Sequence, residues 1–273
     1  MTDGKTEAQK TWGASPTGTT TGGGFAPGTR EFFEKALKFR DLEEQPWLPE
    51  VVPFDKMTDR YVLEIGFGPG YDALKFMRVG ARYSGIDITP ENIDRARLHL
   101  SYYDFEPNIK QGDAENIEYE SGVFDVVYSN GVLHHVPDME RAFREVERVL
   151  KSGGEFFVIL YNKRSVFYML SVLLPHYLGG GFFKESLERR RSRIEFTTAD
   201  SAPTVNVYSK GELVSILEGA GFQVRSIYLR KCTWEDLPAS SIFGRVYRIV
   251  PASIYDFLGR VAGWYIIVNA LKR

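Results

Sequence analysis

The stretch VLEIGFGPGYDALKF, residues 62–76, decides the fold. An apolar run carrying one acid, Glu64, gives way to Gly66, Gly68 and Gly70 at alternate positions, and then a helical pattern begins. Glycine has no Cβ and tolerates positive φ, so three of them between a strand and a helix permit both a sharp turn and the close approach of a ligand to the backbone. The stretch therefore reads as the first strand, turn and helix of an open α/β sheet. In such sheets ligands lie at the carboxyl ends of the strands, near the point where strand order reverses.

Working outward, the same alternation continues. ARYSGIDI (81–88) reads as a strand and TPENIDRARLHLSYY (89–103) as a helix with Thr89 at its N-cap and Pro90 in its first turn. NIKQGD (108–113) and FDVVYSN (124–130) are strand-like, PDMERAFREVERVLKSGG (137–154) is an amphipathic helix ended by glycines, and EFFVILYN (155–162) is a fifth strand. SKGELVSILEGAG (209–221), FQVRSIYLRK (222–231) and GWYIIVNALKR (263–273) give a further helix and two strands. Repeated βα units predict a parallel sheet covered on both faces. Upstream, Thr29 caps a predicted helix with an apolar stripe at Phe32, Phe33, Ala36 and Leu37, ending near Pro46.

The spacing excludes two nucleotide motifs. A dinucleotide fingerprint counted from Gly66 would need Gly or Ala where Tyr71 stands, and a P-loop would need a Lys that is missing. The ordered set Glu64-Ile-Gly66-Phe67-Gly68-Pro-Gly70, then Asp87, then QGDAENI (111–117), then FDVVYSNGVLHHVPD (124–138), resembles the class I S-adenosylmethionine-dependent methyltransferases. It is similar in flavour to members acting in quinone biosynthesis and on natural-product sugars. The resemblance covers about half of the chain and implies a Rossmann-like, doubly wound, seven-stranded and mostly parallel sheet whose last strand is antiparallel, with helices on both faces. It implies S-adenosylmethionine as cofactor, with Gly66, Phe67, Gly68 and Gly70 along its methionyl and ribose portion and Glu64 toward its ammonium. Asp87 would accept from the ribose hydroxyls, Ile88 would pack on the adenine, Asp113 and Ala114 would meet the adenine edge, and Asn130 would lie beside the methionyl group. The reaction implied is methyl transfer to a small-molecule acceptor. A cofactor-binding module without catalysis fits the same motifs, and an NAD(P)-dependent oxidoreductase fits them less well.

A base is needed only where the acceptor must shed a proton. His134 and His135 follow the fourth strand, where an acceptor would approach, and Tyr161 and Asn162 follow the fifth. His135 is the first candidate, then His134 and Tyr161; packing of the loop is the competing role for the histidines. Neighbouring histidines point apart and no Cys/His/acid set supports them, so no metal site is expected.

Composition sets the frame. The chain has 273 residues, 43% hydrophobic and 26% charged, which is ordinary for a globular protein. Its single cysteine, Cys232, and the lack of a basic-then-apolar leader pattern lead to an expected cytoplasmic setting. Residues 1–29, with SPTGTTTGGG at 15–24, read as a flexible tail ahead of a domain at 30–273. Residues 162–208 interrupt the alternation and read as a helical cap over the ligand edge, with aromatic and apolar residues and a cluster at Arg189, Arg190, Arg191 and Arg193. The acceptor is accordingly expected to be hydrophobic or anionic, although the same residues suit packing on the sheet and a solvated face. From Lys163 onward 16 basic residues face 9 acidic ones, while the rest of the chain has 18 basic and 27 acidic. With Arg245, Arg248 and Arg260 among bulky apolar residues, the C-terminal segment suits peripheral membrane contact, a second subunit or ordinary docking. The acidic balance of the first part and the lack of an aromatic-basic signature speak against nucleic acid.

Overall fold

The computed structural model describes residues 3–14, 21–195, 203–237 and 240–273. Seven strands form one sheet: β1 (Tyr61–Ile65), β2 (Arg82–Asp87), β3 (Asn108–Gln111), β4 (Phe124–Asn130), β5 (Leu150–Tyr161), β6 (Phe222–Arg230) and β7 (Tyr265–Lys272). Their spatial order is β3-β2-β1-β4-β5-β7-β6. The pairs among β1 to β5 are parallel, and β7 runs antiparallel between β5 and β6. Strand order therefore reverses between β1 and β4, directly above the glycine turn, as the doubly wound reading requires. The helices in chain order are α1 (Asp3–Ala14), α2 (Arg30–Phe39), α3 (Leu48–Val51), α4 (Tyr71–Arg78), α5 (Pro90–Ser101) and α6 (Met139–Val149). They continue as α7 (Leu174–Tyr177), α8 (Leu187–Ser192), α9 (Lys210–Gly219), α10 (Ser240–Tyr247) and α11 (Ala252–Ala262).

Period-two alternation divides the strands between two cores. Phe157, Ile159 and Tyr161 of β5 face the core that holds Phe76, Leu74 and Trp264. Phe156, Val158 and Leu160 face the core built with Phe143 and Val146 of α6 and Leu213 and Leu217 of α9. The caps are local: Thr29 Oγ1 accepts from Phe32 N–H, and Ser209 and Glu212 form a capping box on α9. Helix α6 stops at Val149, earlier than the glycines suggested. Leu150 already pairs with Phe124, and the register shifts before Glu155 meets Val126, so Gly153 and Gly154 lie within a bulged strand.

Two expectations are corrected. Residues 3–14 of the supposed tail form α1, which packs on α5: Arg95 donates to the carbonyls of Trp12 and Gly13 at its end, at 3.3 and 2.6 Å. Residues 1–2 and 15–20 of that segment lie outside the described residues. The described part of the interruption at 162–208 reaches the ligand edge only near its end, where the Thr204 carbonyl meets His135. Its Phe167 and Tyr168 stack around Trp264, which itself stacks on Tyr161 at 4.3 Å, so its apolar residues fill an aromatic gap beyond β5 and β7. Residues 196–202 of it lie outside the described residues.

Candidate active site

The turn after β1 is built by conformation and by space. Gly66 has φ +77°, and a Cβ there would meet Val132 Cγ2 at 2.3 Å. Gly68 has φ +51°, and a Cβ there would meet no atom within 4 Å, because the position faces a cleft. That cleft runs along the carboxyl ends of β1, β2 and β4. Its lining includes all of Glu64, Gly66, Phe67, Gly68, Asp87, Ile88, Asp113, Ala114, Asn130 and His135. Gly70 stands behind it as the left-handed N-cap of α4, packed on Ala96.

Asp87 ends β2 and is buried. Its Oδ2 accepts from Gly68 N–H at 2.9 Å and from Asn92 Nδ2 at 3.2 Å, and its Oδ1 from Thr89 N–H at 2.9 Å. Burial raises its pKa, although these donors oppose the shift. The carboxylate is thus fixed by the glycine turn it faces.

Beneath the turn lies a buried charged network that the sequence did not disclose. Asp72, in the first turn of α4, accepts from Arg40 at 2.6 Å, Tyr128 Oη at 2.8 Å, Lys75 at 3.1 Å and Asn130 Nδ2 at 3.1 Å. Burial pushes its carboxyl up, but Arg40 and Lys75 outweigh burial and hold it below the usual carboxylate range. Glu64 accepts from Tyr83 Oη at 2.7 Å and makes no ion pair among the described residues; burial, with Asp72 adding to it, outweighs Arg40 and pushes its pKa up to about 8. Arg40 is partly buried and lines the cleft, and its Nε is buried with no partner among the described residues. Asn130 Nδ2 also donates to Gln45 Oε1 at 2.8 Å. Arg40 and Asp72 are 32 residues apart, and FRDLEE and GYDALK each read as ordinary helical sequence, so only the folded chain brings them together.

Helix α1 forms one wall of the cleft, with Lys5, Ala8 and Trp12 in its lining. Lys5 Nζ lies 2.6 Å from both Asp113 Oδ2 and Glu115 Oε2, Gln9 Nε2 donates to the Ile88 carbonyl at 2.7 Å, and the Trp12 ring lies 5.4 Å from that of His135. Asp113, expected at the adenine edge, is engaged by protein on both oxygens, since Oδ1 accepts from Glu115 N–H. Sequence gave little sign of α1, whose apolar content is Ala8, Trp12 and Ala14.

The three catalytic candidates part company. His135 lines the cleft, and its Nδ1 lies 2.6 Å from the Thr204 carbonyl. A carbonyl only accepts, so Nδ1 carries the proton and Nε2 is the basic nitrogen of the neutral ring. His134 is fully buried between His135 and Tyr161, each at 4.0 Å between ring centres, and does not line the cleft. Burial, with His135 beside it, drives its pKa well below the ordinary value. Tyr161 packs between His134 and Trp264. Asn162 Nδ2 donates to the Gly263 carbonyl at 2.9 Å and is also structural.

Comparison with known proteins agrees with this arrangement. Residues 63–158 match the family described as methyltransferase domain. Over 118 residues the chain is 32% identical to a ubiquinone biosynthesis O-methyltransferase of Xanthomonas oryzae, covering 43% of this chain and 49% of the relative. It is 37% identical over 101 residues to a sarcosine/dimethylglycine N-methyltransferase of Halorhodospira halochloris, covering 36% of each. The chain thus spans about half or less of the length of these curated relatives. Among solved structures, an S-adenosylmethionine-dependent methyltransferase from Mesorhizobium loti shares the fold with a TM-score of 0.55 at 18% identity, over 84% of this chain and 97% of that one. Residues 63–158 thus match the methyltransferase domain family, and they carry the glycine turn, acid-ended second strand and strand order of the fold the chain shares with that solved methyltransferase.

Proposed function

We propose that the protein binds S-adenosylmethionine in this cleft and directs its methyl group to a small-molecule acceptor. The residues fit that cofactor. Gly68 leaves open space where any side chain would stand, Asp87 presents a fixed carboxylate, and Arg40 offers a buried, unpartnered Nε–H. Asp87 would hold the ribose hydroxyls, Glu64 the ammonium and Arg40 the carboxylate of the methionyl group. The bound cofactor supplies a sulfonium methyl group, transferred in line as the acceptor–carbon bond forms and the carbon–sulfur bond breaks with its electrons left on sulfur. For the chain's own residues the task is geometric: α1 with Trp12 excludes water, and the walls orient the acceptor. Where the acceptor is a hydroxyl or amine that must lose a proton, His135 Nε2 takes it, with the ring held by Thr204. His134 and Tyr161 support that ring from behind. The quinone-biosynthesis and sarcosine relatives favour a small acceptor but differ in the atom methylated, so oxygen and nitrogen acceptors both belong to this reading.

The observation that carries the proposal is Asp87 at the end of β2, tied to Gly68 N–H in the turn. Calorimetry with S-adenosylmethionine tests it: Asp87→Asn is expected to weaken binding about ten- to a hundredfold, the worth of a charge-assisted hydrogen bond. Unchanged affinity would place the ligand elsewhere. Incubation with methyl-labelled cofactor and cell extract then separates enzyme from binding module: label entering an acceptor marks turnover. Binding without transfer to any fraction would overturn the catalytic reading. His135→Ala should keep cofactor affinity and lower transfer to a proton-bearing acceptor by about a hundredfold or more.

A further inference from the structure

Helices α10 and α11 wear their amphipathicity inside out. The sides they turn inward carry small or aromatic residues: a Cβ on Gly244 would meet Trp234 at 2.7 Å, and one on Gly259 would meet Cys232 N at 3.2 Å. Tyr255 is buried and donates to the Tyr247 carbonyl at 2.7 Å, binding the two helices into one unit. The sides they turn outward are apolar at helical spacing. Ile242 and Val246 of α10 are 75 and 61% exposed, Ile249 in the turn after it is 79% exposed, and Ile254, Phe257 and Val261 continue the apolar face on α11, with Phe257 at 64%. A globular protein does not gain stability from such a face in water.

Arginines flank it. Arg245, Arg248 and Arg260 lie on or beside these helices, and the one acid within residues 242–262, Asp256, is paired with Arg260 at 3.2 Å. Arg245 makes no ion pair among the described residues, and Arg248 lies over the Trp234 ring at 4.2 Å. The wider charge distribution points the same way, since the chain from Lys163 onward is basic and the rest acidic. No helix among the described residues is long and apolar enough to cross a membrane, so a contact here lies on a surface.

We infer that the outward face of α10 and α11 docks on the surface of an anionic lipid bilayer, its apolar side chains entering the headgroup–acyl boundary and its arginines meeting lipid phosphates. Apolar side chains interleaved with basic ones are what such an interface selects. Charge also argues against a second copy as occupant, because a two-fold contact would set three arginines of one copy against the same three of the other. The acidic cofactor-binding part is repelled by the same surface, which orients the molecule. This inference is independent of the proposed reaction.

Flotation of the full chain with vesicles tests it. The wild type is expected to float with phosphatidylcholine vesicles containing phosphatidylglycerol and not with phosphatidylcholine alone. Arg245→Gln with Arg248→Gln should lower partitioning about thirtyfold. Ile249→Ser with Phe257→Ser should abolish it while the thermal midpoint stays at the wild-type value, since both side chains are exposed. Failure to float with anionic vesicles, or flotation unchanged by the serine pair, overturns the inference. A concentration-dependent dimer in sedimentation velocity that the serine pair dissolves, with no flotation, reassigns the face to a second copy and overturns it equally.

Discussion

At the scale of single residues, the cleft turns on which atoms lack room and which lack charge. Gly66 and Gly68 both have positive φ, yet they are constrained differently: a Cβ at Gly66 runs into Val132, and one at Gly68 runs into nothing. Gly66→Ala should therefore destabilise the fold by about 3 kcal/mol, combining left-handed strain with overpacking. Gly68→Ala should cost about 1–2 kcal/mol in stability but weaken cofactor binding more than that strain explains. Denaturant titration beside calorimetry separates the two, and equal stability losses would refute the distinction. Glu64 makes a second case. Its folded pKa is raised to about 8, mainly by burial, so its contribution to stability is complete below the ordinary glutamate range and is lost as pH climbs through the folded value. Asp72 has the opposite sign: its depressed pKa contributes stability at neutral pH that is lost only in strong acid. Between about pH 5 and pH 8 the Glu64 effect is the one that changes. Glu64→Gln keeps an acceptor for Tyr83 and should stabilise the free protein by roughly 4 kcal/mol near pH 8 and by less than about 1 kcal/mol near pH 5, flattening the pH dependence. A variant as pH-dependent as the wild type would show that Glu64 ionises freely.

At the scale of elements, α1 is the part whose structure depends most on its neighbours. With Gly4 and Gly13 in a twelve-residue helix and few apolar side chains, it has little intrinsic helicity. Its order comes from Lys5 on Asp113 and Glu115, Gln9 on the Ile88 carbonyl and Arg95 on its last carbonyls. The Lys5 pKa records this: burial lowers it, and hydrogen bonds to Asp113 and Glu115 raise it by more. Lys5→Ala should speed amide exchange in residues 3–14 about ten- to a hundredfold by releasing charged hydrogen bonds, while exchange in α4 and β1 stays unchanged. Exchange in α1 that ignored the substitution would mean the helix is held by other contacts. The same physics explains why sequence reading stopped short here. A helix ordered by distant polar partners leaves no periodic apolar signal, whereas α6, with Met139, Ala142, Phe143, Val146 and Val149 all buried, was plain from spacing. The glycine turn, Asp87 and His135 were legible because each sits at a strand end within a local motif. Arg40, Asp72 and Lys5 were not, because their partners lie 32 and 108 residues away.

At the scale of the whole molecule, the last strand by sequence is an interior strand in space. Alternating βα units made the parallel part of the sheet readable, while the antiparallel strand entered only through the family resemblance, since an apolar C-terminal run does not state its direction. In the structure β7 pairs with β5 from Tyr265 to Leu271 and with β6 from Tyr265 to Lys272, so it is the only described strand joining β6 to the sheet. Ile266 and Val268 are fully buried in the core that also holds α6 and α9, and Ile267 lies in the core on the other face. Removing residues 265–273 would strip one ladder of partners from each of two strands and open both cores at once. Each lost Ile or Val side chain is worth roughly 2–5 kcal/mol in such a setting, and three of them rival the entire net stability of an average domain. The truncated chain is therefore expected to lose cooperative unfolding altogether, read by denaturant titration with circular dichroism and by tryptophan fluorescence of the β7 neighbour Trp264. Substitution of the exposed Ile249, just after α10, and Phe257 of α11 should leave the same transition intact. A truncated chain that still unfolded cooperatively at the wild-type midpoint would mean that β6 and α9 form a separable layer and that the cofactor half, with the cleft between β1 and β4, folds without them.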